Sequence, residues 1–187
     1  MPKTTEARDI RNKAMLEYIE ENPLSTDEVL AKHFGVSINT IRLDRARLGI
    51  KEFKERLKDT AYHNVKQVVS LSESEIVGDI VKFAAGKEAV SRLETREYMS
   101  FDNTNIVKGT YIYSMAETLA ISLIPTKVAL VGVANIKYSR KVLKNEVIYA
   151  YAEVKKKRNT NYIVWVNIKD ENEELRFKGK FLLKGIN

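Results

Sequence analysis

The sequence predicts an α+β protein, in which a small all-helical domain is followed by an antiparallel sheet wrapped on a central helix. Three features of its 187 residues carry this prediction. Residues 6–66 repeat apolar side chains at helical spacing, whereas most of residues 76–183 alternate apolar and polar side chains as strands do. Residues 110–124 interrupt that alternation with a segment of helix formers that is apolar nearly all round, which is typical of a buried helix.

A helix-turn-helix pattern occupies residues 24–50. Short polar residues at its start can cap a first helix, Gly35 ends that helix where a positive φ is easiest, and Ser37 can cap the second. Residues 6–21 predict a further helix, which an Asn-Pro pair ends because the residue before proline avoids the helical region. Since small DNA-binding modules use such a three-helix core, residues 1–50 are predicted to be a DNA-binding domain.

The second helix of this motif has the composition of a recognition helix. Ile38, Ile41 and Leu48 are predicted to face inward, which leaves short polar and cationic side chains for base edges and phosphates. The residues expected to contact operator DNA are Ser37, Asn39, Thr40, Arg42 and Arg45. A helical pair with a solvated basic face would share some of this pattern, but the caps, the glycine and the arginines together favour DNA binding.

Residues 51–67 predict an amphipathic linker helix. Its apolar residues recur every four positions, at Phe53, Leu57, Ala61 and Val65. Such a stripe is typical of a surface helix that docks on a neighbouring domain. A compatible interpretation adds contacts with DNA phosphates, through Lys51, Lys54 and Lys58.

Residues 68–187 predict five or six largely antiparallel strands. The expected strands lie within residues 76–83, 89–98, 128–138, 147–155, 162–168 and 175–183. Polar segments at 156–161 and 170–174 are predicted to be hairpin turns. A buried helix against such a sheet is the arrangement of a hot-dog domain, which covers sheet surface with a second copy, so a homodimer is expected.

Composition excludes several classes of function. The chain has no cysteine and two histidines, which argues against disulfides, thiolate or histidine-rich metal sites and a Ser-His-Asp triad. No metal and no cofactor are therefore expected. A formal charge of +7 permits nucleic acid or an anionic ligand without requiring either. Neither a signal peptide nor an 18-residue apolar run occurs, so the expectation is a cytoplasmic protein with no membrane partner.

A candidate anion site precedes the apolar helix. Lys108 and Gly109 stand where the helix is predicted to begin, and a helix N-terminus favours anions. Glu117 is the one acid in this helix, and a carboxylate there is expected to face a pocket or the dimer seam. An ordinary capped turn with a solvated lysine would have the same spacing. Further cations at 137–144 and 155–158 are interpreted mainly as solvated strand ends.

The order of these parts resembles the FapR family of bacterial fatty-acid and phospholipid synthesis repressors. The likeness covers essentially the full chain, and its most specific segments are VSINTIRLDRARLGI and NIVKGTYIYSMAETLAISL. It implies a dimeric repressor of lipid-synthesis operons. The effector that the resemblance implies is malonyl-CoA, which binds the hot-dog domain and releases the protein from DNA.

The resemblance also implies a set of ligand-binding residues. Lys108 stands where the family usually has an arginine for the malonyl carboxylate, Gly109 matches the glycine beside it, and Phe101 matches a pocket aromatic. Glu117 and Asn105 depart from the usual asparagine and glycine. Lysine lacks the bidentate fork of arginine, and an ionised Glu117 would repel an acyl carboxylate. A related acyl-CoA therefore stays open as the effector.

An enzyme is the alternative from another class. The same turn and helix are similar to hot-dog acyl-CoA thioesterases, in which an acid at the position of Glu117 activates water. Lys108 replaces the usual histidine of that motif, and an attached DNA-binding domain favours sensing over turnover. No catalytic residue is therefore expected. A third possibility is a DNA-binding protein whose hot-dog domain only dimerises.

Overall fold

The computed structural model describes residues 3–186, with side chains from Ala7 onward. Within that range the chain forms two compact units, one ending at Asp59 and the other beginning at Thr60. The helices are α1 (Lys3–Glu21), α2 (Asp27–Phe34), α3 (Ile38–Arg47), α4 (Phe53–Val65) and α5 (Gly109–Ser122). The strands are β1 (Asp79–Ala84), β2 (Glu88–Glu94), β3 (Val128–Tyr138), β4 (Val147–Arg158), β5 (Asn161–Asp170) and β6 (Leu175–Ile186).

The first unit is all-helical and contains the expected helix-turn-helix. Thr26 caps α2 by accepting a hydrogen bond from the Val29 amide, and Gly35 ends that helix with a φ of +63°. Ser37 then caps α3 by accepting a hydrogen bond from the Thr40 amide at 3.1 Å. One apolar cluster joins the three helices, and its buried members are Met15, Ile19, Leu30, Ala31 and Ile41.

The linker helix α4 is anchored separately within each unit. In the first unit the buried guanidinium of Arg56 donates to the carbonyls of Pro23, Ser25 and Lys51. In the second unit Asn64 donates to the carbonyl of Ile80 at 2.8 Å. Two residues of the predicted apolar stripe, Leu57 and Ala61, are buried, and Phe53 and Val65 are half-buried.

The second unit is a six-stranded antiparallel sheet in the order β1-β2-β4-β5-β6-β3, with α5 against it. Alternate residues of the strands enter one core with α5, among them Ile148, Val164, Val166, Phe177 and Phe181. The predicted α+β class and the helix-on-sheet domain are confirmed. Within residues 3–186, no helix combines the length and apolarity that crossing a bilayer requires.

Two predicted boundaries in the sheet are wrong. Strand β2 ends at Glu94, because the amide of Glu146 donates to the hydroxyl of Thr95 and not to its carbonyl, which accepts from the Asn145 amide instead and interrupts the regular pairing with β4. The basic segment at 156–161 is mostly strand, since β4 continues to Arg158 and Asn159 turns the chain with a φ of +53°.

Candidate functional site

Helix α3 presents one broad face to solvent. Its inward side is formed by Ile41, Asp44 and Arg45, all of which are buried. The exposed residues of the opposite side are Asn39, Arg42, Leu43, Ala46 and Arg47. Ile38 lies on the flank of the inward side at the first turn of the helix, where about a third of its surface is exposed.

The expected DNA-contacting residues of α3 differ in how free their side chains are. The Ser37 hydroxyl caps the helix by accepting from the Thr40 amide, and it lies 2.9 Å from the Thr40 hydroxyl. Asn39 is exposed, and Arg42 extends into solvent with its Nε 3.5 Å from a carboxylate oxygen of Asp27. Asn39 and Arg42 are therefore the expected contacts that are best placed to reach a partner.

Arg45 does not face outward, so this part of the prediction is wrong. Its guanidinium is buried, donates to both carboxylate oxygens of Asp27 at 2.9 and 3.2 Å, and donates to the carbonyl of Ile50 at 3.1 Å. A buried arginine needs such partners, because an unpaired buried charge is strongly destabilising. Arg45 therefore connects α3 to the start of α2 instead of presenting a cation to DNA.

The three expected lysines at the linker are exposed. The ammonium of Lys51 lies 2.6 Å from a carboxylate oxygen of Asp59, and this hydrogen bond raises the pKa of Lys51 above its usual value. Lys54 and Lys58 extend from the solvent side of α4. The negative charge of Asp59 therefore offsets part of the attraction of Lys51 for phosphate.

A cavity of about 610 Å³ lies at the beginning of α5 in the second unit. Its wall includes Gly109, Ile112 and Tyr138. The Tyr138 hydroxyl donates to the carbonyl of Gly109 at 3.0 Å, and a Cβ added at Gly109 would lie 3.2 Å from the tyrosine ring. The absence of a side chain at Gly109 thus allows Tyr138 to pack against the helix backbone. These two residues are far apart along the chain, and the sequence pattern did not predict their contact.

Three cationic residues also line this cavity, namely Arg140, Lys141 and Arg176. Arg176 was not predicted, because strand alternation assigns it to a solvated face. Its guanidinium pairs with the buried carboxylate of Asp170 and donates to the Lys141 carbonyl at 2.8 Å. The Nε of Arg176 is buried and has no hydrogen-bond partner among residues 3–186. A buried donor of this kind favours an anion or water beside it.

Asp170 fixes Arg176 at the cavity wall and is itself held by several donors. Burial acts to raise the pKa of this carboxyl, but hydrogen bonds from the Glu174 amide, from Arg176 and from the Asn172 amide hold that pKa below its usual range. Because the folded-state pKa lies below the unfolded value, the carboxylate stabilises the fold above the unfolded pKa of about 4. This contribution is lost as the pH falls through the folded-state pKa.

Substituting Asp170→Asn is expected to lower the free energy of unfolding at neutral pH by roughly 1–2 kcal/mol, because charge-assisted hydrogen bonds are lost. Urea denaturation of wild type and variant at neutral and acidic pH measures the effect, with the exposed Asp102→Asn as the control. The difference from wild type should shrink on acidification. An equal difference at both pH values would contradict the assigned pairing.

The structure does not bring all the residues expected to bind a ligand to this cavity. Gly109 lines it, whereas Phe101, Lys108 and Glu117 are not among the lining residues. Lys108 is half-buried at the start of α5, and no carboxylate of the described residues lies within ion-pair distance of its ammonium. Phe101 is about half exposed in the turn before α5.

Glu117 has a partner on its own helix. The Tyr113 hydroxyl, one turn earlier, donates to a carboxylate oxygen of Glu117 at 3.0 Å. Burial and this acceptor raise the pKa of Tyr113 to about 12, so the tyrosine remains a protonated donor at neutral pH. Glu117 does not line the cavity at the start of α5, and its expected placement at a pocket or at the dimer seam stays a prediction.

Comparison with known proteins gives close relatives over most of the chain. No protein-family model matches the sequence. A protein of Caldanaerobacter subterraneus named transcription factor FapR is 48% identical, over 92% of this chain and 86% of the relative. A protein of Halalkalibacterium halodurans with the same name is 40% identical, over 92% of both chains. The resemblance identified from the sequence motifs is confirmed.

Solved structures match the second unit's fold at low identity. A sigma28-regulated virulence protein from Campylobacter jejuni has a TM-score of 0.63 at 15% identity, over 69% of this chain and 92% of that one. A protein from Streptococcus mutans bound to acetyl CoA has a TM-score of 0.52 at 16% identity, over 58% and 88%. At these identities the likeness establishes the fold alone.

Proposed function

The chain belongs to the FapR family of transcription factors, and we propose that it represses fatty-acid and phospholipid synthesis genes until malonyl-CoA or a related acyl-CoA releases it. The relatives that carry the assignment are regulators, so the chain is a transcription factor and not an enzyme. The observation that carries the proposal is that one chain holds both a capped helix-turn-helix and a half-buried lysine, Lys108, at the start of the hot-dog helix.

Operator DNA is the first proposed partner. Asn39 and Arg42 would meet base edges and phosphates from the exposed face of α3, with Ser37 and Thr40 at its N-terminal end near the backbone. Lys51, Lys54 and Lys58 would add phosphate contacts from the linker. Arg45 is left out of this set because Asp27 already binds it.

An acyl-CoA is the second proposed partner. The ammonium of Lys108 and the N-terminus of α5, which no side chain caps, suit a carboxylate, and the cations around the neighbouring cavity suit phosphates. Gly109 and Phe101 would contact the acyl portion. Glu117 would take part in the choice of acyl group, and Lys108 and the helix N-terminus would offset its repulsion of the malonyl carboxylate.

A second copy of the chain is the third proposed partner. Strand β3 pairs with β6 on one side and forms the edge of the sheet on the other. Large apolar side chains are exposed along this strand, at Val128, Leu130, Val133 and Tyr138. Long apolar sheet edges favour pairing with another chain, so a homodimer through this strand fits the geometry. As a regulator of genes, the protein would act in the cytoplasm.

The proposed function makes a direct prediction about operator release. A labelled fragment from a lipid-synthesis promoter is bound by the protein, and its fluorescence anisotropy is followed while malonyl-CoA, acetyl-CoA or free CoA is added. We expect malonyl-CoA to release the DNA at a lower concentration than the other two, because it alone brings a terminal carboxylate to Lys108.

Free thiol is measured in the same mixtures, which separates sensing from hydrolysis. Release without thiol supports the repressor proposal. Steady thiol production would instead place Glu117 in a catalytic role. Operator binding that ignores all three compounds would contradict an acyl-CoA effector of this kind.

A further inference from the structure

The exposed face of α3 carries an apolar side chain that the proposed contacts do not use. Leu43 is 58% exposed and takes no part in the apolar cluster of the first unit. At about 100° per residue, Asn39 and Ala46 lie in the middle of the exposed half of α3, with Arg42 and Leu43 on either side. An apolar group therefore lies within the face where only polar and cationic contacts were expected.

The position of Leu43 suits contact with a base and not with the phosphate backbone. It is one turn after Asn39 on the same side of the helix, and Ala46 beyond it has no side chain past Cβ to hold the helix away from a groove. Among the base edges of the DNA major groove, the apolar group is the C5-methyl of thymine. An asparagine one turn away has the donor and acceptor that match N7 and N6 of adenine.

We propose that Leu43 reads the C5-methyl of a thymine, and that Asn39 reads an adenine in the same or the adjacent base pair. The proposal rests on the proposed function, because it requires α3 to lie in the major groove of DNA. The flanking guanidinium of Arg42 supplies charge complementary to DNA, which favours this occupant over an apolar protein surface. Leu43 is then a specificity residue for adenine-thymine steps within the operator.

The expected size of the effect follows from burying one methyl group. Removing that methyl group should weaken binding about fourfold where Leu43 covers it, since a buried methylene is worth roughly 0.8 kcal/mol. If a dimer reads two equivalent half-sites, removing the methyl group from both should weaken binding about sixteenfold.

The test uses the full-length chain and a duplex that it selects from a randomised DNA library. Each thymine of the selected duplex is replaced in turn by uracil, which removes the methyl group and keeps the Watson–Crick edge. Dissociation constants are measured by fluorescence anisotropy for the wild type, for Leu43→Ala and for a matched control, Leu182→Ala. Leu182 is an exposed leucine on β6, in the other unit.

We expect at least one uracil position that weakens wild type and Leu182→Ala about fourfold and leaves Leu43→Ala unchanged. Leu43→Ala should melt at the wild-type temperature, because the side chain is mostly exposed. If every uracil duplex affects wild type and Leu43→Ala alike, the inference is wrong while selection of a duplex still supports DNA binding. If the chain selects no duplex, the proposed function fails and the inference fails with it.

Discussion

Substituting Lys108→Ala is expected to raise the malonyl-CoA concentration for half-maximal operator release between about tenfold and a hundredfold, because a hydrogen bond to a charged partner is worth roughly 1.5–3 kcal/mol. Operator affinity without ligand should stay within about twofold, since Lys108 is expected to affect DNA binding only through the bound ligand. The anisotropy titration described above measures both quantities on one sample.

Two further variants make this result specific to the start of α5. Lys127→Ala removes an exposed lysine just beyond the other end of the helix, and it should release like wild type. Lys108→Arg keeps the charge and adds a bidentate fork, so it should release at the same or lower malonyl-CoA concentration. A Lys108→Ala protein that responds like wild type would show that the carboxylate binds elsewhere.

The fold was predictable because the chain contains both the helical and the strand periodicity of apolar residues, in separate segments. Alternation along β6 and the all-round apolar character of α5 gave the helix-on-sheet domain, and caps around Gly35 gave the helix-turn-helix. The end of β4 was not predictable in this way, because lysines on a solvated strand face have the same composition as a polar turn. Composition does not distinguish these two environments, whereas the ladder with β5 does.

The candidate sites were predictable only as far as local sequence reaches. Lys108 and Gly109 stand at the start of α5, and a helix start is visible in the local sequence, so a sequence pattern was enough to find them. Tyr138 contacts Gly109 from 29 residues away, and Arg176 reaches the same cavity from β6. Long-range partners of this kind depend on strand register, which the sequence alone did not supply.

The arginines of α3 show the same limit most clearly. Arg42 and Arg45 are three residues apart and were both assigned to DNA, but helical spacing places Arg45 between Ile41 and Leu48 on the inner side. Its partner Asp27 lies 18 residues away on another helix. The helical spacing in the sequence therefore indicates an inward Arg45, whereas the general tendency of arginines to be solvated indicates the opposite.

These two arginines should therefore give opposite results when each is replaced by alanine. Arg45→Ala leaves the carboxylate of Asp27 with a single distant partner, and breaking a buried pair costs roughly 3–5 kcal/mol of unfolding free energy. Loss of repulsion offsets a small part, because burial and then the charge of Arg45 lower the pKa of the neighbouring Arg56. We expect the helical unit of Arg45→Ala to melt well below the wild-type temperature.

Arg42→Ala should instead melt like wild type and bind operator DNA about tenfold or more weakly, since its mostly exposed guanidinium is available for base or phosphate contacts. Thermal unfolding by circular dichroism and operator anisotropy, both on full-length proteins, separate the two outcomes, and each variant is the control for the other. At a temperature where both are folded, Arg45→Ala should recover most of its DNA affinity. An Arg45→Ala protein of wild-type stability that has lost operator binding would return Arg45 to the DNA-contacting residues, because its pair with Asp27 would then make no contribution to the free energy of unfolding.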